Sequence, residues 1–110
     1  TIACDHAKGA CGRLSGTEVP SFADAEMTMT DIKDRIARTI AFVESIPATA
    51  FDGAQARQIS LKAGQHDLRL SAPDYLFGYA LPNFYFHLTT AYNILRSQGI
   101  AIGKTDFLGG

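Results

Sequence analysis

A chain of 110 residues is one domain. Its apolar fraction of 46% and charged fraction of 19% exclude a disordered segment. With a net charge of −1 and scattered basic residues, it has no stripe for nucleic acid, and no stretch approaches the ~20 apolar residues of a membrane span.

The chain opens in a helical pattern. From Thr1 to about Leu14, Ile2, Ala3, His6, Ala7, Ala10 and Leu14 share one arc at ~100° per residue. Cys4 and Cys11 point elsewhere. Their spacing corresponds to ~10 Å of helical rise, too far for a disulfide, which predicts free thiols and a reducing, cytoplasmic setting. Gly16 suits the left-handed position that ends a helix. The helix begins without a methionine or a cap before it, so the chain reads as the later part of a longer protein, incomplete at its N-terminus.

Residues 17–27 show no period and form a connection. A second helix follows from about Met29 to Ser45, capped by Thr28 with Asp31 or by Thr30. Ile32, Ile36, Ile40 and Val43 are spaced as one buried stripe, and Asp31–Arg35 and Asp34–Arg38 as ion pairs on the wet side. Pro47 stops the helix.

The period then changes from helix to strand. Ile59 and Leu61 alternate with polar residues, as do Leu68 and Leu70, on either side of Ala63-Gly64-Gln65. This predicts a β-hairpin that must rest its apolar face on the helices.

A last helix runs from Pro73 to about Ser97, where Leu76, Ala80, Phe84, His87, Leu88, Ala91, Ile94 and Leu95 share an arc. Pro82 should kink or divide it. Gly99 ends it, and the tail to Gly110 reads as a loop packed by Phe107 or Leu108. The aromatics crowding this helix predict burial on more than one side, by a further helix or a second subunit. Three helices and a hairpin are an incomplete set, because four bury their stripes more fully.

His6 and His87 are the residues that point to chemistry. Each lies within an apolar arc, and inward histidines on facing helices are how bundles build metal sites. If both bind one zinc ion, their imidazoles should approach within ~4–5 Å. Either histidine alone reads first as a core residue with one hydrogen-bond partner, and it is the pair that points to ligation. A catalytic zinc needs three protein ligands, and Asn83 and Ala91, at i−4 and i+4 from His87, supply no obvious third. Asp5 could orient His6, although an i, i+3 pair with Lys8 is the simpler expectation. Lys8, Asn83 and Tyr92 complete the candidates around the histidines. His66 belongs to the hairpin turn.

The run Ala80-Leu-Pro-Asn-Phe-Tyr-Phe-His87 with its continuation to Arg96, and Gly103-Lys-Thr-Asp-Phe-Leu-Gly109, resemble the closing signature of the DUF1993 family. Ile2-Ala-Cys-Asp-His-Ala-Lys-Gly9 resembles that family's second-helix signature. The resemblance spans nearly the whole chain. It implies a mainly α-helical DinB/YfiT-like fold: an up-down four-helix bundle, here three helices plus the hairpin before the last helix. It also implies a divalent metal, zinc or nickel, held by one histidine on the second helix and two on the last. His6 matches the first of these and His87 one of the pair; the other position holds Asn83 or Ala91. Thiol-dependent transfer or isomerisation of a small-molecule ligand, and a homodimer, are the activities and assembly that such a resemblance implies. The alternative expectation is a non-enzymatic dimeric bundle with a structural or ligand-holding role.

Overall fold

A computed structural model describes residues 1–110. Three long helical segments and a two-stranded hairpin follow in chain order. They are α1 (Ile2–Ser15), α2 (Met29–Ser45), β1 (Gln58–Ala63), β2 (His66–Ser71), α3 (Ala72–Tyr75), α4 (Leu81–Ser97) and a terminal turn of helix, α5 (Lys104–Phe107). Two short 3₁₀ turns at Ala48–Phe51 and Ala54–Ala56, not foreseen from the pattern, carry the chain from α2 to the hairpin.

The local signals act where the sequence places them. Gly16 closes α1 in the left-handed conformation at φ 73°. Thr28 caps α2 and accepts from the Asp31 amide at 3.2 Å, while the Asp31 carboxylate accepts from the Thr28 amide at 2.9 Å, so two orphan donors are satisfied together. The Met27 amide, which donates to the Asp31 carboxylate at 3.0 Å, and after it the side chain and amide of Thr28 hold the Asp31 carboxyl below the usual carboxylate range. In the hairpin, Ile59 pairs with Leu70 and Leu61 with Leu68, which puts the four apolar side chains on one face.

That face makes the core. Ile59, Ala72, Tyr75 and Ala80 are buried together, with Ala10, Leu14, Leu61, Leu70 and Tyr79 packed around them. The hairpin therefore does not stand alone. It rests on α3 and shares its core with Ala10 and Leu14 of α1.

α1 lies between α2 and α4 and packs on both. Gly12 permits the close approach on the α2 side, since a Cβ there would fall 2.6 Å from Val19 Cγ2 and 3.1 Å from the Thr17 carbonyl.

The side of α2 that meets α1 corrects the sequence expectation. Arg35 and Thr39 are 1% and 5% exposed, whereas Ile32, Ile36 and Ile40 remain 39%, 43% and 50% exposed. The isoleucine stripe is rotated away from α1. The buried guanidinium is tolerated because Asp5 (2.7 Å), Glu26 (2.6 Å) and Asp24 (3.1 Å) surround it and the Ala23 carbonyl accepts from it at 3.1 Å. Arg35 therefore leaves the i, i+4 pairing with Asp31 expected on the wet side, while Arg38 makes its pair with Asp34 at 2.9 Å. The far end of α4 is open in the same way, with Ile94 and Leu95 exposed.

The last helical segment is divided, as Pro82 predicts, and the break takes a definite form. Between α3 and α4, residues Leu76–Ala80 form a π-helical turn in which the Leu81 amide donates to the Leu76 carbonyl. Proline has no amide hydrogen for the Gly78 carbonyl and its ring crowds that carbonyl, so a widened turn just before it relieves both problems. At the C-terminus, Phe107 packs edge-on to Tyr92 at 5.3 Å, whereas Leu108 is exposed. No helix is long and apolar enough to cross a membrane.

Candidate functional site

α1 and α4 bring His6 and His87 together. Their ring centroids are 5.8 Å apart and their planes 13° from parallel. Two imidazoles sharing one tetrahedral zinc at ~2.1 Å would put their centroids roughly 5 Å apart. The observed pair is a little wider than that.

The pair belongs to a continuous run of rings. Tyr79 leans on His6 at 5.8 Å and 59°, and stacks on Tyr75 at 6.0 Å. Phe86 meets His87 edge-on at 5.2 Å. Tyr75 is almost fully buried, and its hydroxyl accepts from Arg13 Nη1 at 3.2 Å. Burial pushes the Tyr75 phenol up, against the opposing pull of Arg13.

Burial also sets the state of His6. Desolvation, followed by the neighbouring His87, holds its pKa below the ordinary imidazole value. Asp5 acts in the opposite direction and Arg13 in the same one. A neutral imidazole is the form that binds metal or accepts a proton.

His6 also opens onto a hollow of about 240 Å³ between α1 and the α3–α4 segment. Ala10, Cys11, Leu14, Leu81 and Phe84 are among its lining residues, and His6 is the one that is not apolar. Burial raises the pKa of the Cys11 thiol, so it lines the hollow as a protonated, weakly reactive group. Both cysteines are free.

The remaining candidates are engaged elsewhere. The Asp5 carboxylate is held by Arg35 at 2.7 Å and by Lys8 at 3.4 Å, the second being the simpler pairing expected from the sequence. Lys8 is buried and lies over the Phe22 ring at 4.3 Å. The Asn83 side-chain amide donates to the Tyr79 carbonyl at 2.7 Å. The Tyr92 hydroxyl donates to the Gly103 carbonyl. His66 is exposed where the hairpin turns. No group of three His, Cys, Asp or Glu side chains is arranged to hold a metal ion. His6 and His87 are donors of the type that binds zinc or nickel, their rings stand slightly wider apart than a shared ion would set them, and the chain brings no third donor to them.

Sequence reasoning missed Tyr75 and Tyr79. On an uninterrupted helix, Tyr75 and His87 would point about 120° apart. The π turn takes back roughly one residue of rotation, which turns Tyr75 toward α1 on the side of His87, and Tyr79 lies within the turn itself. Pro82 was the only available signal.

Residues 1–108 match the family described as "Domain of unknown function (DUF1993)". The fold is similar to the crystal structure of a DinB family member protein from Shewanella denitrificans, at 39% identity and a TM-score of 0.89. That match covers 99% of this chain and 62% of the other, so the chain spans less than two thirds of the length of the protein it resembles. No curated protein matches the sequence. The chain belongs to the DUF1993 family and has a DinB-like fold.

Proposed function

We propose that this domain binds a divalent metal ion, zinc or nickel, through His6 and His87, beside an apolar hollow that accepts a small molecule. The observation that carries the reading is that two separate helices bring two imidazoles, His6 and His87, within 5.8 Å of each other by ring centroids, with His6 lining the hollow. His6 is desolvated and neutral, as a ligand must be. A bound ion would supply Lewis acidity toward a polar group of the small molecule. The reading is one of binding. The transferase or isomerase chemistry that the DinB likeness implies needs a third donor beyond these two histidines.

Titration calorimetry with Zn²⁺ and Co²⁺ tests this. One ion per chain is expected, with binding abolished in His6→Ala and in His87→Ala. Absence of binding, or binding that survives both substitutions, refutes the reading.

A second reading rests on a different observation: the half-exposed isoleucines of α2 and the open apolar end of α4. In this reading the domain works by association as a non-enzymatic homodimer. Light scattering after size exclusion separates the two, since a strict monomer that binds metal supports only the first.

A further inference from the structure

Metal-binding histidines are nearly always oriented by a hydrogen bond from the second ring nitrogen to a carboxylate or carbonyl. Neither His6 nor His87 makes such a bond within this chain, and Asp5, the carboxylate next to His6, is taken by Arg35 and Lys8. Ring packing is the contact left to orient the imidazoles. The geometry points to Tyr79 as the positioning residue of the histidine pair, acting through ring packing where a hydrogen bond usually acts. This rests on the reading of the pair as a binding site.

Three features make Tyr79 suited to this role. Its ring packs on His6 at 5.8 Å and 59°, and the His87 ring lies at the same centroid separation from His6, so two rings border the imidazole. Tyr79 is itself restrained, by stacking on the almost fully buried Tyr75 at 6.0 Å and by the Asn83 side chain, which donates to its carbonyl at 2.7 Å. It also sits in the π-helical turn, the one irregular stretch of the last helical segment, and such turns recur at functional sites. Pro82 and Asn83 thus act on the pair indirectly. The first forces the wide turn, and the second pins the residue that the turn presents.

Two substitutions separate packing from other roles. Tyr79→Leu keeps an apolar side chain and removes the flat ring. Tyr79→Phe keeps the ring and removes the hydroxyl. Cobalt(II) binding, read from its visible absorption, is expected to weaken roughly tenfold or more in Tyr79→Leu and to recover in Tyr79→Phe. A second readout needs no metal. The nuclear Overhauser contact between the His6 and His87 ring protons is expected to vanish in Tyr79→Leu and persist in Tyr79→Phe, with unchanged far-UV circular dichroism in both. The inference is overturned if Tyr79→Leu retains the ring contact, or if Tyr79→Phe loses it as fully as Tyr79→Leu. If the unsubstituted protein binds no cobalt, the proposed metal function fails, and the ring contact alone decides whether Tyr79 positions the pair.

Discussion

Arg35 of α2 reaches Asp5 of α1 at 2.7 Å, and the same guanidinium holds Glu26 and Asp24 of the connection between those helices. Phe22, in the same connection, lies between Lys8 at 4.3 Å and Arg38 at 4.7 Å. One buried cation therefore fixes α1, α2 and the segment joining them. Its Nε is the one buried side-chain polar atom without a partner, so the cluster is not fully satisfied even with Arg35 present. Removing the guanidinium would leave the carboxylates facing one another. Arg35→Met is expected to cost about 3 kcal/mol, the low end for a buried ion pair because Asp5 and Asp24 keep contact with water. Urea denaturation measures this. A loss below about 1 kcal/mol would reduce the cluster to surface ion pairs.

Gly12 gives a prediction in which two effects oppose each other. Alanine would gain about 1 kcal/mol of helix propensity. Its Cβ would also fall 2.6 Å from Val19 Cγ2 and 3.1 Å from the Thr17 carbonyl, where α1 meets the connection. Overpacking of this kind costs about 1–3 kcal/mol. The Val19 side chain can turn aside, but the Thr17 carbonyl is backbone. Gly12→Ala is expected to be net destabilising by about 1 kcal/mol, read as a lower thermal midpoint. A raised midpoint would show that Val19 yields freely.

These two positions show what was legible in the sequence. Gly16, the Thr28–Asp31 cap and the alternation around Gly64 are local signals, and each appears where its chemistry places it. The inward side of α2 is set by partners from distant parts of the chain. Arg35 is buried only because Asp5, Asp24 and Glu26 converge on it, and no helical period encodes that convergence. The candidate site divides in the same way. His6 and His87 were legible from their arcs. Tyr75 and Tyr79 were not, because the π turn resets the helical phase between them and His87.

The desolvation of His6 predicts a pH dependence. Its folded pKa lies below the unfolded value of ~6.5, so between the two the unfolded chain binds more protons. The neutral imidazole costs nothing extra above ~6.5, and stability falls as pH drops below that value toward the folded pKa. His87 and Arg13 favour the neutral form and Asp5 opposes it. Urea midpoints between pH 8 and 5 should therefore decline on the acid side, with a shallower decline in His6→Gln. An equal decline in both proteins would place the lost protons elsewhere.

The two isoleucine sets predict a contrast in stability. Ile59 is 4% exposed and lies in the core with Tyr75, Ala72 and Ala80. Ile36 and Ile40 have the same side chain but are 43% and 50% exposed, with the α1-facing side of their helix given to Arg35 and Thr39. Ile59→Ala removes buried apolar surface and leaves a cavity between the hairpin and α3, so a cost of about 2–5 kcal/mol is expected. Ile36→Ala and Ile40→Ala remove groups that water already reaches, and alanine is the better helix former, so about 1 kcal/mol or less is expected for each. Denaturation of the three variants under one condition checks the ordering. Should Ile36→Ala cost as much as Ile59→Ala, the isoleucine face of α2 is covered in solution, as the association reading requires. Repeating the measurement over a hundredfold range of protein concentration would then show whether a second copy covers it, because only an oligomer gains stability with concentration.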